Sequence, residues 1–251
     1  MLTTQRKRLI LDVLARDGQV VAKQLSRELA LSEDTIRRDL RELAAEGLLQ
    51  RVHGGALPAS PTVAALPVRR GISLQAKEAL GRRAAGLIEP GQTVVFDGGT
   101  TSLAIVRNLA PDLRFVAITH SPPVAVELER HGNVEVVVIG GKLFRHSMVA
   151  VGATAAEMIA RIRADLFFLG VTGAHLEEGL TTGDMEEAAI KRAIISRSSE
   201  VVVLATAEKL GAVSPYLVAG VDEIDSLIVE EDAPEAAVAG FEKAGVTIIR
   251  A

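Results

Sequence analysis

The 251-residue chain has no cysteine, which excludes disulfides and thiolate metal sites and suits a reducing cytosol. His131, His146 and His175 lack metal-ligand spacing, so no metal or other cofactor is expected. Also lacking are a secretory leader pattern and any apolar run approaching about 18 residues. The positive mean hydropathy therefore points to buried parallel strands rather than a membrane span, and the protein is expected to be cytoplasmic. Nor is there bulk positive charge, since 28 Lys+Arg stand against 32 Asp+Glu, net −4. Residues 1–57 hold ten basic against eight acidic side chains, net +2, and the remainder holds eighteen against twenty-four, net −6. So small a local excess does not suit non-specific nucleic-acid binding by bulk charge. Any such affinity must depend on where the cations sit and on self-association.

What is present begins with a helical pattern. Leu9, Ile10, Val13 and Leu14 form a periodic apolar face in a helix that starts near Thr3 or Thr4 and stops at Asp17-Gly18. A shorter helix carrying Leu25 and Leu29 follows, and only Ala30 and Leu31 separate it from Ser32. That tight connection is the spacing of a helix-turn-helix. Ser32 is a good N-cap, Glu33 and Asp34 suit the positive end of the helix dipole, and Ile36, Leu40 and Leu43 recur at i, i+4 and i+7. Arg37, Arg38 and Arg41 flank that stripe, where they can grip phosphates or base edges; on an isolated helix they could equally do no more than solvate it. Gly47 ends the pattern, Leu48 to Val52 alternate like a strand, and His53-Gly54-Gly55 supply a turn. The sum is a winged helix-turn-helix expected to bind double-stranded DNA through Ser32, Thr35, Arg37, Arg38 and Arg41 on the helix, with Arg51 and His53 on the wing.

Beyond a Pro- and Ala-rich stretch from Pro58 to Pro67, expected to be a short extended linker, β-branched runs alternate with amphipathic ones. Strands are predicted near 93–96, 115–119, 134–139, 166–171, 201–205, 227–229 and 247–249. The fold class is therefore α/β: an N-terminal winged helix-turn-helix domain (1–57), a linker (58–71) and a larger, mostly parallel α/β domain (72–251) with helices on both faces. About 190 residues beyond the first domain are enough for a sizeable core.

Directly after the first of these strands stands Asp97-Gly98-Gly99-Thr100-Thr101-Ser102. Two glycines allow close backbone approach, amides at a helix N-terminus point outward, and three hydroxyls can donate to phosphate oxygens. The run has neither the GK[ST] ending of a P-loop nor GxGxxG, and alone it could be an ordinary strand-to-helix turn. Its companions at other strand ends are Gly140-Gly141-Lys142, Gly170-Val171-Thr172-Gly173 and Lys209, and open parallel sheets bind ligands outside the carboxyl ends of their strands. Glycine at a strand end is most often only a turn, but together these suggest an anionic small-molecule pocket. Thr181-Thr182-Gly183-Asp184 opens a further helix carrying Glu187 and Lys191 at i, i+4. The favoured reading takes Glu187 into the site and leaves Lys191 in a surface ion pair.

The run TIRRDLRELAAEGLLQRVHGGA resembles the N-terminal signature of the DeoR family of transcriptional regulators, and the resemblance extends along essentially all of the chain. Val21 and Ala22 stand where relatives tend to start the second helix with a hydroxyl or an acid, a departure that weakens its cap. The resemblance implies that the second domain is similar in fold to ribose-5-phosphate isomerase and glucosamine-6-phosphate deaminase and that a phosphorylated sugar or sugar acid is its effector. It also implies effector-binding roles for Asp97, Gly98, Gly99, Thr100, Thr101, Ser102, His120, Gly140, Gly141, Gly170, Thr182, Glu187, Lys191 and Lys209. His120 stands where relatives usually have asparagine, and Thr206 to Glu208 replace the residues that commonly precede the lysine matching Lys209; either departure bears on which hydroxyl pattern is read. His120 can also be read as a hydrogen-bonded strand-end residue without a ligand.

The aspartates that move protons in the isomerases are absent from Gly170-Val171-Thr172-Gly173, and Glu187 alone is a poor catalytic constellation. The reading is a regulator, a repressor of a carbohydrate-metabolism operon, that senses without turnover and assembles as a homodimer or homotetramer on a symmetric operator. The alternative is a sugar-phosphate isomerase or deaminase with an accessory DNA-binding module.

Overall fold

In the computed structural model, the described residues are 2–60, 65–69 and 71–251. The N-terminal unit opens with α1 (Thr3–Asp17), whose apolar face buries Ile10 and Leu14 and which ends at Gly18 in the left-handed conformation, φ +72°, with its N–H on the Leu14 carbonyl. After β1 (Val20–Val21) come α2 (Ala22–Glu28) and α3 (Glu33–Ala45). Ser32 caps α3 by accepting the Thr35 N–H at 3.2 Å. α2 has no side-chain cap, as its Val21-Ala22 start leads one to expect, and the Ala22 N–H is satisfied instead by the Gly54 carbonyl at 2.9 Å. Ile36, Leu40 and Leu43 form one core with Ile10, Leu14, Leu25 and Leu49.

The wing is the antiparallel pair β2 (Leu49–Val52) and β3 (Gly55–Pro58), with β1 on the other edge of β3. A Cβ on Gly55 would lie 1.8 Å from the Val20 carbonyl oxygen, so only glycine permits that pairing. One polar contact is sealed into this small core. Arg6 of α1 donates through Nε and Nη2 to Asp39 of α3, and their side chains are 6% and 0% exposed.

The linker is not simply extended. Its start continues the wing strand, with Ala59 bridging Val213 in parallel and Ser60 Oγ donating to the Thr172 carbonyl at 2.5 Å. Leu66–Arg69 then forms a short helix, α4, because Leu66 buries its side chain and donates its N–H to the His146 carbonyl at 2.9 Å. The rest of the expected linker, 61–64 and 70, lies outside the described residues.

The C-terminal unit runs α5 (Leu74–Ala85), β4 (Thr93–Phe96), α6 (Thr100–Arg107), β5 (Val116–Thr119), α7 (Pro122–Leu128), β6 (Glu135–Val138), β7 (Lys142–Phe144), β8 (Val149–Val151), α8 (Ala153–Ile159), β9 (Ala164–Gly170), β10 (Gly173–His175), β11 (Gly179–Thr182), α9 (Met185–Ile195), β12 (Ser198–Leu204), β13 (Tyr216–Ala219), β14 (Ser226–Val229), α10 (Glu235–Lys243) and β15 (Thr247–Arg250). Seven strands form one parallel sheet in the order β15-β14-β12-β9-β4-β5-β6. Alternate residues point to opposite faces, so Val95, Phe167, Leu169 and Val203 enter one core while Phe96, Leu166, Phe168 and Val202 enter the other. The seven predicted strands match these seven. The hairpin β7–β8 and the small antiparallel sheet β10-β11-β13 were not predicted; they are only three or four residues wide and carry no clear alternation.

Strand order reverses at β4, since β5 and β6 follow on one side and β9, β12, β14 and β15 on the other. The carboxyl ends of β4 and β9 thus flank the topological switch point, where such sheets open a crevice. Among the described residues no helix is long and apolar enough to cross a membrane.

Asp39→Ala is expected to cost the N-terminal unit about 3–5 kcal/mol, because Arg6 stays buried without its counter-charge, whereas Arg6→Met combined with Asp39→Leu recovers most of the loss. Urea unfolding of the three proteins checks this; equal losses in single and double variants would assign the cost to packing rather than to charge.

Candidate functional site

Two regions gather the residues singled out above. At the switch point, β4 delivers Asp97 into a fully buried position. Its Oδ1 accepts the Gly98 N–H at 2.7 Å and faces His120 Nε2 at 2.9 Å; its Oδ2 accepts the Gly170 N–H at 2.8 Å and Lys191 Nζ at 2.5 Å. Lys191 donates further to the Gly170 carbonyl at 2.6 Å and lies 3.1 Å from Glu187 Oε1, while Glu187 Oε2 accepts Ser147 Oγ at 2.9 Å. Burial pushes the Asp97 carboxyl up, but the Lys191 ammonium and His120 outweigh it and hold the group below the usual carboxylate range. Burial likewise favours the neutral Lys191 amine, and Asp97 and Glu187 reverse that, leaving its pKa raised.

Lys191 is therefore not half of a surface ion pair. The i, i+4 spacing with Glu187 is real, but α9 turns that face inward and the Lys191 side chain is only 3% exposed. His120 takes the place open to a strand-end histidine without a ligand, with Nδ1 on the Ala150 carbonyl at 3.0 Å and no exposed surface. Asp97 and His120 lie beneath the pocket and do not line it.

The pocket above them has two adjoining compartments. The inner one, about 30 Å³, is walled by Gly98, Gly99, Thr100, Thr101 and Ser102 on one side, and by Gly170, Glu187, Lys191 and Lys209 on the other. The Thr100, Thr101 and Ser102 amides precede the first helical bond of α6, Leu103 N–H to the Gly99 carbonyl at 3.2 Å, so that end of the helix has donors to offer. The Gly98 N–H is already spent on Asp97. A Cβ on Gly98 would fall 2.2 Å from Val149 Cγ1, so the turn needs glycine to pass beneath β8. The outer compartment, about 210 Å³, holds Thr182, with Phe144, His146 and Asp184. Gly140 and Gly141 are a correction to the expected site: both are exposed and line neither compartment, and Gly141 packs close to the Val151 carbonyl in the β7–β8 hairpin, which Lys142 begins.

Three residues of the inner compartment's wall escaped the sequence reading. Ser147 sits in the β7–β8 turn, Lys77 on α5, and Arg69 on α4, the last lining both compartments. Lys77 had a usable signal, since it shares the buried face of α5 with Leu80 and Ala84. A lysine in phase with an apolar stripe is out of place unless it has work there. Crowding of cations shows in Lys209, whose pKa falls to about 8 through burial first and then the Lys77 ammonium, with Glu208 opposing and Arg69 adding to the fall.

The second region is on the N-terminal unit. Arg37, Arg51 and His53 line one cleft of about 220 Å³ between α3 and the wing, and Arg38 and Arg41 are exposed on α3. Arg37 is paired with Glu33 at 2.6 Å; among the described residues Arg38, Arg41 and Arg51 have no ion-pair partner. Ser32 is occupied as the cap, with Thr35 Oγ1 2.9 Å from its Oγ, so it positions the helix start. Helix and wing cations on one side suit a duplex, with the helix in the major groove and the wing beside it.

Residues 72–231 match the family model of the DeoR C terminal sensor domain, and residues 6–62 match the DeoR-like helix-turn-helix domain. The HTH-type transcriptional regulator GlpR of Haloferax volcanii is 37% identical to this chain, covering 99% of it and 98% of that protein. GolR of Listeria innocua, also an HTH-type transcriptional regulator, is 31% identical with coverage of 99% and 98%. The glycerol-3-phosphate regulon repressor of Escherichia coli is 29% identical and covers 93% of each chain.

Two outcomes follow from the geometry. Arg37→Ala or Arg38→Ala is expected to lower operator affinity by about 1–3 kcal/mol where base edges are read, measured at one fixed salt concentration; a loss equal on all sequences marks phosphate contact, and unchanged affinity in both removes α3 from the interface. For Lys209, the unfolded chain binds more protons than the folded one between about pH 8 and the ordinary value of 10.5, so folding stability should rise with pH across that window. Denaturation midpoints from pH 7 to 10.5 should show the rise in the wild type, and Lys209→Met should lack it.

Proposed function

The chain belongs to the DeoR family of transcriptional regulators, and from that premise we propose that it is a cytoplasmic repressor whose hold on operator DNA is set by a phosphorylated sugar, polyol or sugar acid. One observation carries the effector assignment: Arg69, Lys77 and Lys209 converge on a small compartment opposite the free amides of α6, a combination that suits a dianionic phosphate. The larger outer compartment, with Thr172, Thr182 and Asp184, suits the hydroxylated body of the same molecule. A relative of similar length is named for a glycerol-3-phosphate regulon, which agrees with a small phosphorylated effector.

Binding without turnover is favoured over isomerisation because the buried carboxylates are committed. Asp97 accepts from four donors, and Glu187 is held between Lys191 and Ser147, which leaves neither free to take a proton next to a substrate carbonyl. A symmetric operator would call for a homodimer or homotetramer.

The phosphorylated form of an effector should bind far better than its unphosphorylated parent, because each donor left unpaired in the closed pocket costs about 1–3 kcal/mol. Thr100→Ala should weaken that binding and leave the operator affinity of the free protein intact. Calorimetry and operator-release titrations test both, with sugar-phosphate turnover assayed alongside; equal binding of sugar and sugar phosphate, or measurable turnover, would overturn the reading.

A further inference from the structure

Among the described residues, one buried side-chain nitrogen or oxygen has no hydrogen-bond partner, and it is Arg69 Nε. The guanidinium's hydrogen bond to Ser147 is long, with Nη2 donating to Oγ at 3.5 Å. A guanidinium whose Nε has no acceptor and whose Nη2 has only a long one stands here at the wall shared by both compartments, with Lys77 and Lys209 lining the inner one. An oxyanion would satisfy it, since Nε and Nη2 form the edge that pairs bidentately with phosphate or carboxylate. Burial also disfavours the Arg69 charge, with Glu187 and Asp97 opposing, and an anion in the inner compartment would relieve that cost.

Arg69 differs from the other cations of the pocket in what carries it. It belongs to α4, in the segment that joins the wing to the α/β unit. That segment is tied to the pocket wall at both ends. Upstream, Ser60 holds the Thr172 carbonyl, and Thr172 lines both compartments. Downstream, Leu66 donates to the His146 carbonyl, and Lys77 Nζ donates to the Arg69 and Ile72 carbonyls at 3.0 and 2.5 Å. Lys77 therefore both faces the inner compartment and fastens the end of the linker helix.

We propose that Arg69 is an effector-binding residue and that the effector's phosphate, by filling its guanidinium fork, fixes the linker helix and so couples the pocket to the DNA-binding unit. The inference rests on the pocket being an anion site, as proposed above, and adds the residue and the segment through which occupancy is passed on. A ligand can bias the DNA-binding unit only through contacts that differ between two arrangements, and among the described residues of the connecting chain Arg69 lines the pocket and has a contact to gain.

The test uses the full chain with inorganic phosphate and glycerol 3-phosphate as probes, binding measured by calorimetry and backbone hydrogen exchange followed by mass spectrometry. Arg69→Gln should bind both probes at least tenfold more weakly, Arg69→Lys should fall between, and saturating probe should slow exchange across residues 65–77 in the wild type but not in Arg69→Gln. Denaturation midpoints of both variants in the absence of probe, equal to that of the wild type, guard against a folding defect. Wild-type protein that binds the probes while Arg69→Gln binds them within twofold overturns the Arg69 assignment and leaves the anion pocket standing. Probe binding without any change in exchange across 65–77 overturns the coupling. Wild-type protein that binds neither probe overturns the pocket reading and this inference with it.

Discussion

The α/β unit is organised around one buried carboxylate. Asp97 has no exposed surface and receives donors from four separate places: its own turn at Gly98, the end of β5 through His120, the end of β9 through Gly170, and α9 through Lys191. An isolated carboxylate in that position would be pushed to its neutral form; with Lys191 beside it, the charge is kept and its lone pairs are filled. Breaking a buried pair from one side typically costs about 3–5 kcal/mol, so none of these donors can be exchanged alone without loss. The carboxyl ends of β4, β5 and β9 are therefore locked to one another at the point where the sheet changes direction.

That lock explains why the pocket divides into a stiff floor and a charged wall. Asp97 beneath the pocket, with Lys191 and Glu187 in its wall, forms a chain of ion pairs that leaves little to offer a ligand. On the wall, Arg69, Lys77 and Lys209 face a common space, and Lys209 keeps its proton at neutral pH only against burial and its neighbours. An anion reverses the second cost. By linkage, the ligand that raises the Lys209 pKa is bound more tightly where that lysine is protonated, below about pH 8, and a phosphate is dianionic above its second pKa of about 6, which confines the strongest pairing to the range between.

Much of this was legible in the sequence, for reasons that also mark where legibility ends. The seven sheet strands announced themselves as β-branched runs because both faces of a parallel sheet are buried, and Ser32, Ile36, Leu40 and Leu43 announced α3 through cap and period. Spacing could not say whether Glu187 and Lys191 face water or core; that depends on what α9 packs against, and Lys191 went inward to meet Asp97 from 94 residues away. Asp39, next to Leu40, gave no hint of its partner 33 residues upstream. Gly140 and Gly141 read as part of an anion pocket because they follow a predicted strand, although they only start a hairpin at the sheet's edge, after β6. Arg69 was hidden by its setting, since a Pro-rich stretch reads as linker and a four-residue helix has no period to detect.

The contrast between hub and linker also bears on where a switch can reside. The hub is a costly place for movement, because displacing Asp97 or Lys191 strands a buried charge. Among the described residues the linker is held by backbone bonds at Ser60 and Leu66, a bridge at Ala59, the Ser60 hydroxyl, Arg69 on Ser147 and the Lys77 ammonium, contacts of the kind worth about 0.5–1.5 kcal/mol net each, or about 1.5–3 for a charged donor. Typical couplings between sites are about 1–3 kcal/mol, so an effector that adds or removes one such contact supplies a shift of the required size. The wing strand β3 passes into this segment without interruption, Pro58 accepting from Val213 at 3.1 Å just before the Ala59 bridge. An anion bound at Arg69 would therefore act on this segment rather than on the hub, and so on the chain that carries the DNA-binding unit.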